Sequence, residues 1–355
     1  MPIPEAVPGK DVTPACFPAG LYSMNRTRFL PVCLLALLLL AVLTPASAER
    51  VSDVGFFFDT TVTITLYDAD STLMDDIWKA CGAYERLLSR TIAGSDVDRI
   101  NTARGEPVQV SADTYDILTR ARLVSEASGG AFSVTIAPVS TLWDFTGGTQ
   151  RMPSPEELAS ALPLVDDTKL ELLDDRTVRL PDGMMIDLGG IAKGYIADRI
   201  AEICRERASG GILNFGGNVY TVGSKPDGTL FRVGIRDPLG DEGSSCAVVQ
   251  VGDMSVVTSG IYERFFWKDD VYYHHILDPE TGISSDSDLA SATIVHSSSM
   301  LADAYATACI VLGSEKALDL LTAQGLDGFL ITRDGQYLMT PGFDEAYQLK
   351  LLVQR

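Results

Sequence analysis

Pairs of adjacent glycines cut this chain into short segments and decide what it can fold into. Gly129-Gly130 closes a helical pattern over residues 111–128. Gly189-Gly190 stands between a strand-like run at 184–188 and a helical pattern over 191–207, and Gly216-Gly217 separates strand-like runs at 212–215 and 219–222. Glycine accepts left-handed backbone and lets another chain approach closely, so each pair ends one element and redirects the next. Around these breaks, residues 60–67 alternate as a strand does, and 73–88 has helical spacing with Ser71 placed as its N-cap. A hairpin is expected over 170–182 with Asp174-Asp175 at its turn. Runs at 231–235, 247–251, 265–268 and 271–276 read as strands of an antiparallel sheet. The C-terminal part reads as a strand at 292–296, helices at 300–312 and 315–324, and a strand pair near 328–339. Strand runs mixed with separated helices, without a regular βαβ succession, predict the α+β class. No internal repeat or long linker follows residue 50, so one domain with mixed and antiparallel sheets flanked by helices is expected over 49–355.

The first 48 residues carry a different signal. Arg26 and Arg28 precede an apolar run over 29–43, and Pro45-Ala-Ser-Ala48 follows with small residues where a signal peptidase reads. A charged n-region, an apolar h-region and an A-x-A site predict a signal peptide cleaved after Ala48. Residues 1–23 then form an extension ahead of a second start at Met24. The expected location is exported, in the periplasm or on the outer face of the cytoplasmic membrane. An uncut signal, or a lipid on Cys33, would tether the chain to that membrane.

The formal charge of −20 narrows the ligands. Such a surface repels nucleic-acid phosphates, and no basic stripe with interleaved aromatics offsets it, so nucleic acid is excluded as a partner. An anionic ligand must be held locally, by backbone donors, a lysine or a metal ion. Beyond the leader, Cys81, Cys204, Cys246 and Cys309 are far apart with no CxxC spacing, which gives no support to zinc or thioredoxin-like chemistry. Cys81, Cys204 and Cys309 fall in apolar helical patterns and read as buried small hydrophobes. An even number of cysteines in an exported chain permits disulfides without requiring one.

Three segments hold residue types that do chemistry. In Asp187-Leu-Gly-Gly-Ile-Ala-Lys-Gly194, an acid ends a strand-like run, glycines turn the chain, and Lys193 falls in the first helical turn. A helix N-terminus and a lysine suit phosphate oxygens, whereas the plain structural reading is a turn with a solvated lysine. The run is neither a Walker A loop nor a GxGxxG fingerprint. In Ala302-Asp-Ala-Tyr-Ala-Thr-Ala308, Asp303 and Thr307 share one helix face. A carboxylate and a hydroxyl are hard ligands suited to Mg²⁺; a dipole-favoured acid and a packed threonine are the alternative. Tyr273-His-His-Ile-Leu-Asp-Pro-Glu-Thr-Gly282 holds two of the three histidines. Strand neighbours face opposite sides, so at most one of His274 and His275 enters a shared site as a base, and a hydrogen-bonded structural histidine is the alternative. No HExxH, GxSxG or EF-hand run is present, which argues against zincin, serine hydrolase and calcium-loop readings.

Those segments, with Asn214-Phe-Gly-Gly-Asn218 and Thr258-Ser-Gly-Ile-Tyr-Glu-Arg264, occur in an order and spacing that resemble the ApbE-type FAD:protein FMN transferases over about residues 52–345. The resemblance implies a T-fold-like α+β unit with a central flavin cleft. It implies Mg²⁺-dependent transfer of FMN from FAD to a Thr or Ser hydroxyl of an exported or membrane flavoprotein subunit, with AMP leaving. Asp303, Thr307 and the backbone carbonyl of Ala192 would hold Mg²⁺, Asp303 serving catalysis through the metal, and His275 would take the hydroxyl proton. Asp187 and Lys193 match the flavin-binding loop. Gly130-Ala-Phe-Ser-Val-Thr135 matches the family's Gly-Ala-Phe-Asp-Pro-Thr, so the backbone of Ala131, Phe132 and Ser133 would line the adenine side, with Ser133 and Val134 replacing Asp and Pro. Phe58 stands where many members have Met as an apolar wall for the cofactor. Thr91 stands where an aromatic can stack on the isoalloxazine, which implies weaker retention of FAD. Two other readings use the same features: a Mg²⁺-dependent FAD pyrophosphatase, with water as nucleophile, and a non-catalytic exported FAD-binding protein. The acceptor would carry a Ser/Thr-Gly-Ala-Ser/Thr target, which this chain itself lacks.

Overall fold

In the computed structural model, which describes residues 48–354, eight strands pair antiparallel in the order in which the chain makes them. They are Arg50–Phe57, Thr60–Tyr67, Gly210–Phe215, Asn218–Gly223, Ser255–Gly260, Leu289–His296, Asp327–Thr332 and Tyr337–Met339. The leader expected over 1–48 lies, but for Ala48, outside the described residues. Among those residues no helix is long and apolar enough to cross a membrane.

The two faces of this sheet are covered differently. Val62, Ile64, Leu66, Leu213, Phe215, Val257, Ile294 and Leu330 pack with the helices Leu73–Leu88, Ala192–Arg207, Ser299–Leu312 and Ser314–Gln324. Val256, Val295, Phe329 and Ile331 point the other way, into a core shared with a three-stranded sheet of Phe231–Arg236, Ser245–Val251 and Lys350–Leu351. Side chains alternate along a strand, so strands in the middle of this sandwich are buried on both faces. Leu289–His296 is accordingly buried nearly throughout, whereas Thr60–Tyr67 turns Thr61 and Thr63 outward and keeps its alternation. A third core joins the hairpin Phe265–Lys268/Val271–His274 to Val139, Trp143 and Ala161 through Phe266.

The α+β expectation holds, and most elements fall where the periodicity puts them. The helices Ala112–Ala127 and Ser299–Leu312 are capped by Ser111 and Ser298, whose side chains accept backbone N–H bonds. The expected hairpin forms as Glu171–Leu173 and Thr177–Arg179. Thr72, not Ser71, precedes Leu73–Leu88, and its N–H goes to Asp70 (3.0 Å), a carboxylate anchored by Arg207 (2.6 Å). Residues 184–188 form no strand. Ile186 exchanges bonds with the Asn101 side chain (2.7 and 2.9 Å), and the Asp187 N–H donates to the Val134 carbonyl (2.8 Å), so no strand is left to pair with them. The four runs between 231 and 276 split between the three-stranded sheet and the separate hairpin, because Phe266 and Tyr273 bury themselves against Trp143. Strands Arg50–Phe57 and Ser255–Gly260 and helices Asp96–Asn101 and Pro155–Ala161 have no counterpart in the sequence reading.

Cys81, Cys204, Cys246 and Cys309 are all buried. Burial pushes the thiols of Cys81, Cys204 and Cys309 up to about 12, which keeps them protonated and poorly nucleophilic.

Candidate active site

The site is built where two helices meet at Gly194. A β-carbon on Gly194 would lie 2.2 Å from the Ser299 carbonyl oxygen and 2.7 Å from the Met300 Cα, so only glycine permits this crossing. The contact sets the second turn of Ser299–Leu312 against the first turn of Ala192–Arg207. Asp303, 2% exposed, then accepts the Gly194 N–H through Oδ2 at 3.0 Å. Its Oδ1 faces the Lys193 ammonium at 3.7 Å. Ala192–Arg207 has no side-chain cap of its own, so Asp303 supplies from another helix the anion that a helix N-terminus favours.

One turn further on, Thr307 lies against the glycine loop. A β-carbon on Gly190 would meet the Phe132 ring at 3.2 Å and the Thr307 Oγ1 at 3.5 Å. Ser259, on the strand Ser255–Gly260, reaches the same hydroxyl at 3.4 Å. Lys193, Asp303, Thr307 and Phe132 thus converge on one loop, with Ala192 opening the helix beside them.

Asp187 ties a further segment to that loop. Its Oδ1 accepts the Gly189 N–H (2.8 Å), and its Oδ2 pairs with Arg90 Nε (2.9 Å), which draws the segment holding Thr91 alongside. The exposed Thr91 bonds only Ser89 nearby, through Oγ1 (3.0 Å) and its own N–H (3.2 Å). Ala131 and Phe132 are buried, and the Ser133 hydroxyl donates to Asp167 (2.7 Å). Asp167 also takes the Val134 and Thr135 N–H groups, so a carboxylate from elsewhere in the chain braces the segment where the family pattern has its own acid.

The opposite wall comes from two turns. Phe58 and Asp59 both adopt left-handed backbone (φ 56° and 55°) between Arg50–Phe57 and Thr60–Tyr67, a costly conformation for side chains of this kind. The Phe58 N–H is held by Glu85 (2.8 Å), and Arg264 donates to the Asp59 carbonyl (3.4 Å). Gly216, also left-handed, lets the next turn nest on Thr60, where a β-carbon would sit 2.1 Å from Oγ1. Glu263 approaches Gly217 here. Desolvation raises the Glu263 carboxyl, an effect that Asp303 adds to and Lys193 opposes.

The two histidines part company as neighbours on a strand must. His274 is 1% exposed, with Nε2 3.0 Å from the Ser285 carbonyl, and is structural. His275 lies just beyond the strand, its N–H donating to the Arg264 carbonyl (3.0 Å) and its Nδ1 without a partner. Burial, reinforced by Arg264, His274 and Lys193, holds its ring down at about 3, so His275 is a neutral proton acceptor near pH 7.

The ApbE family model matches residues 58–330. The chain belongs to the ApbE family. It is 36% identical over 287 residues to the FAD:protein FMN transferase of Treponema pallidum, covering 76% of this chain and 79% of that protein. With an FAD:protein FMN transferase of Klebsiella pneumoniae it shares 32% identity over 285 residues, 79% of this chain and 88% of the relative. The crystal structure of the ApbE protein from Thermotoga maritima superposes with a TM-score of 0.79 at 31% identity, covering 84% of this chain and 99% of that one. The apo flavinyl transferase ApbE of Pseudomonas stutzeri gives 0.76 at 28% identity, covering 84% and 97%.

As an ApbE-family site, the cluster offers a specific set of donors. Among the described residues no three His, Cys, Asp or Glu side chains gather as a metal centre. The glycine loop instead presents one buried carboxylate, one hydroxyl and the opening backbone of a helix. These are hard oxygens, too few to enclose a cation and suited to Mg²⁺ shared with substrate phosphates. Gly190, with no β-carbon, lets Phe132 and Thr307 pack close to the loop backbone. The residues therefore fit both a divalent cation and a dinucleotide pyrophosphate.

The family resemblance brought together Asp187, Ala192, Lys193, Asp303, Thr307 and Phe132, and the structure gathers them around the Gly189-Gly190 loop. Ser259, Glu263 and Arg264 lie in a run already quoted for its resemblance, yet no spacing rule singles them out. Arg90 and Asp167 carry no local signal; only the fold brings them to the residues they hold.

Proposed function

We propose that this chain transfers FMN from FAD to a Ser or Thr hydroxyl of an exported or membrane-bound flavoprotein subunit, in a Mg²⁺-dependent reaction that releases AMP. The observation that carries the proposal is the meeting of Asp303, Thr307 and Lys193 at the Gly190 loop, across from a histidine with a free, neutral ring nitrogen. Asp303, Thr307 and the Ala192 carbonyl would hold Mg²⁺, which when bound offsets charge on the pyrophosphate and on the departing AMP. Lys193 and the N–H groups of the first helical turn orient phosphate oxygens. Phe58, Ala131 and Phe132 give the cleft apolar walls. His275, whose ring is neutral near pH 7, takes the proton of the attacking hydroxyl. The charged, apolar and small-residue pattern over residues 1–48 supports a location of the enzyme and its acceptor outside the cytoplasm.

Incubation of the protein with FAD, Mg²⁺ and a Ser-Gly-Ala-Thr peptide, read by intact mass, tests this. The expected result is one FMN gained by the peptide and AMP released, both abolished by a chelator. Thr91, exposed where an aromatic would stack on the flavin, favours one rival, a Mg²⁺-dependent pyrophosphatase. Free FMN and AMP beside an unmodified peptide would establish that rival, and no turnover would leave a flavin-binding protein.

A further inference from the structure

The hairpin Phe265–Lys268/Val271–His274 carries two aromatic rings, Phe265 and Trp267, that the chain leaves exposed. Its register pairs Phe265 with His274 and Trp267 with Tyr272, so these side chains share one face. Phe265 is 43% and Trp267 61% exposed. Their rings lie 4.9 and 5.1 Å from the Tyr272 ring, and the Tyr272 hydroxyl donates to the Ile261 carbonyl (2.9 Å). The other face is anchored: Phe266 and Tyr273 pack on Trp143, and Phe266 on Phe145. The hairpin is thus a rigid platform presenting rings to solvent.

The platform ends at the chemistry. Arg264 precedes the first strand, His275 follows the second, and the Arg264 carbonyl accepts the His275 N–H (3.0 Å). Any polypeptide whose hydroxyl reaches His275 must run over the surface beside it, and the exposed rings continue directly from that point. At the far end the turn carries Asp269 and Asp270, both in left-handed backbone, on a chain of net charge −20. A two-stranded sheet also has unpaired outer edges, to which an extended segment can add.

We propose that this face docks the acceptor polypeptide: an extended segment flanking the target hydroxyl, with an apolar side chain on Phe265 and Trp267 and a basic residue towards Asp269 and Asp270. The proposal rests on the transferase reading and deepens it by locating the partner. An exposed tryptophan ring over a fixed base, such as Trp267 on Tyr272, is a common anchor of such contacts.

The test compares Phe265→Ala/Trp267→Ala with wild type, using two peptides. One holds only the Ser-Gly-Ala-Thr target; the other extends it on both sides with leucine and lysine. The proposal expects the double variant to raise KM for the long peptide about tenfold or more. KM for the minimal peptide, FAD affinity by flavin fluorescence and the thermal midpoint stay as in wild type. A long-peptide KM unchanged in the double variant overturns the docking face and leaves the transferase reading intact. Hydrolysis of FAD by wild type without modification of either peptide overturns both.

Discussion

Asp198 and Asp303 exchange helix caps. Asp303, on Ser299–Leu312, takes the Gly194 N–H at 3.0 Å, while Asp198, on Ala192–Arg207, takes the Ser299 and Met300 N–H groups at 2.7 and 3.0 Å. Each helix depends on the other for its first turn, and the site lies at the junction. The two acids nevertheless have different duties. Asp198 serves the fold, whereas Asp303 keeps an oxygen turned towards Lys193 and the glycine loop. Asp198→Ala should cost about 1–2 kcal/mol, as lost caps do. Asp303→Ala should cost a similar stability but lower turnover on the order of a hundredfold or more, the loss expected with a metal ligand. Urea unfolding beside FMN-transfer rates separates them; equal effects of both variants on turnover would refute this division.

His275→Asn should lower FMN transfer by about 10²–10⁴-fold, the usual range for a lost proton acceptor, with FAD affinity unchanged. Because burial holds the His275 ring at about 3, the acid limb of kcat/KM for FAD should lie well below 6.5. An acid limb near 6.5 that vanished in the variant would contradict the ring's depressed affinity.

His274 couples stability to pH. Burial lowers its ring from 6.5 to about 4. Between these values the unfolded chain holds a proton that the folded one does not. The contribution is complete above the unfolded value and declines as pH falls towards 4, by at most about 1.4 kcal/mol per pH unit. Urea midpoints of wild type and His274→Gln should therefore converge as pH is lowered through this window. A gap that widened would reverse the sign.

Gly194→Ala should be among the most damaging small substitutions, because its methyl meets backbone at 2.2 Å and not a side chain that can swing away. A loss of about 2 kcal/mol or more is expected, at the upper end for overpacking, with FAD binding lost in parallel. Gly129→Ala, with open space around its β-carbon but a left-handed φ of 63°, should cost less and leave FAD binding intact. Melting curves with and without FAD check both.

Thr91→Tyr should tighten FAD binding by up to about tenfold, the lower end of an aromatic stacking contribution. Flavin fluorescence titration reads this directly, and an unchanged affinity would place the isoalloxazine away from Thr91.

The site was more legible in the sequence than the sheets that carry it. The Gly189-Gly190 loop, Lys193, Asp303 and Thr307 stand out locally as a glycine turn, a helix start and an i, i+4 pair, and the resemblance to a family joins them into one site. Thr60–Tyr67 was legible for the same reason, one face being buried and the other wet. Ser255–Gly260 was not, since burial on both faces erases the alternation. Residues 184–188 misled because an extended apolar run has the same composition whether it bonds to a strand or, as here, to Asn101 and Val134. Asp167 and Arg90 act across long sequence separations, and no local pattern encodes a partner that far away.

The serial order of the main sheet sets a timetable. Neighbouring strands are neighbours in the chain, but Thr60–Tyr67 must wait for Gly210–Phe215, with Tyr67 pairing Gly210 across the intervening helices. The Phe58–Asp59 turn is synthesised early and the glycine loop midway, while Asp303 and Thr307 come near the end. A nascent chain short of Ser299 has a glycine loop whose helix lacks its carboxylate, and a crossing glycine with nothing to cross. On the proposed function, a copy cut short of Asp303 is therefore expected to hold no flavin.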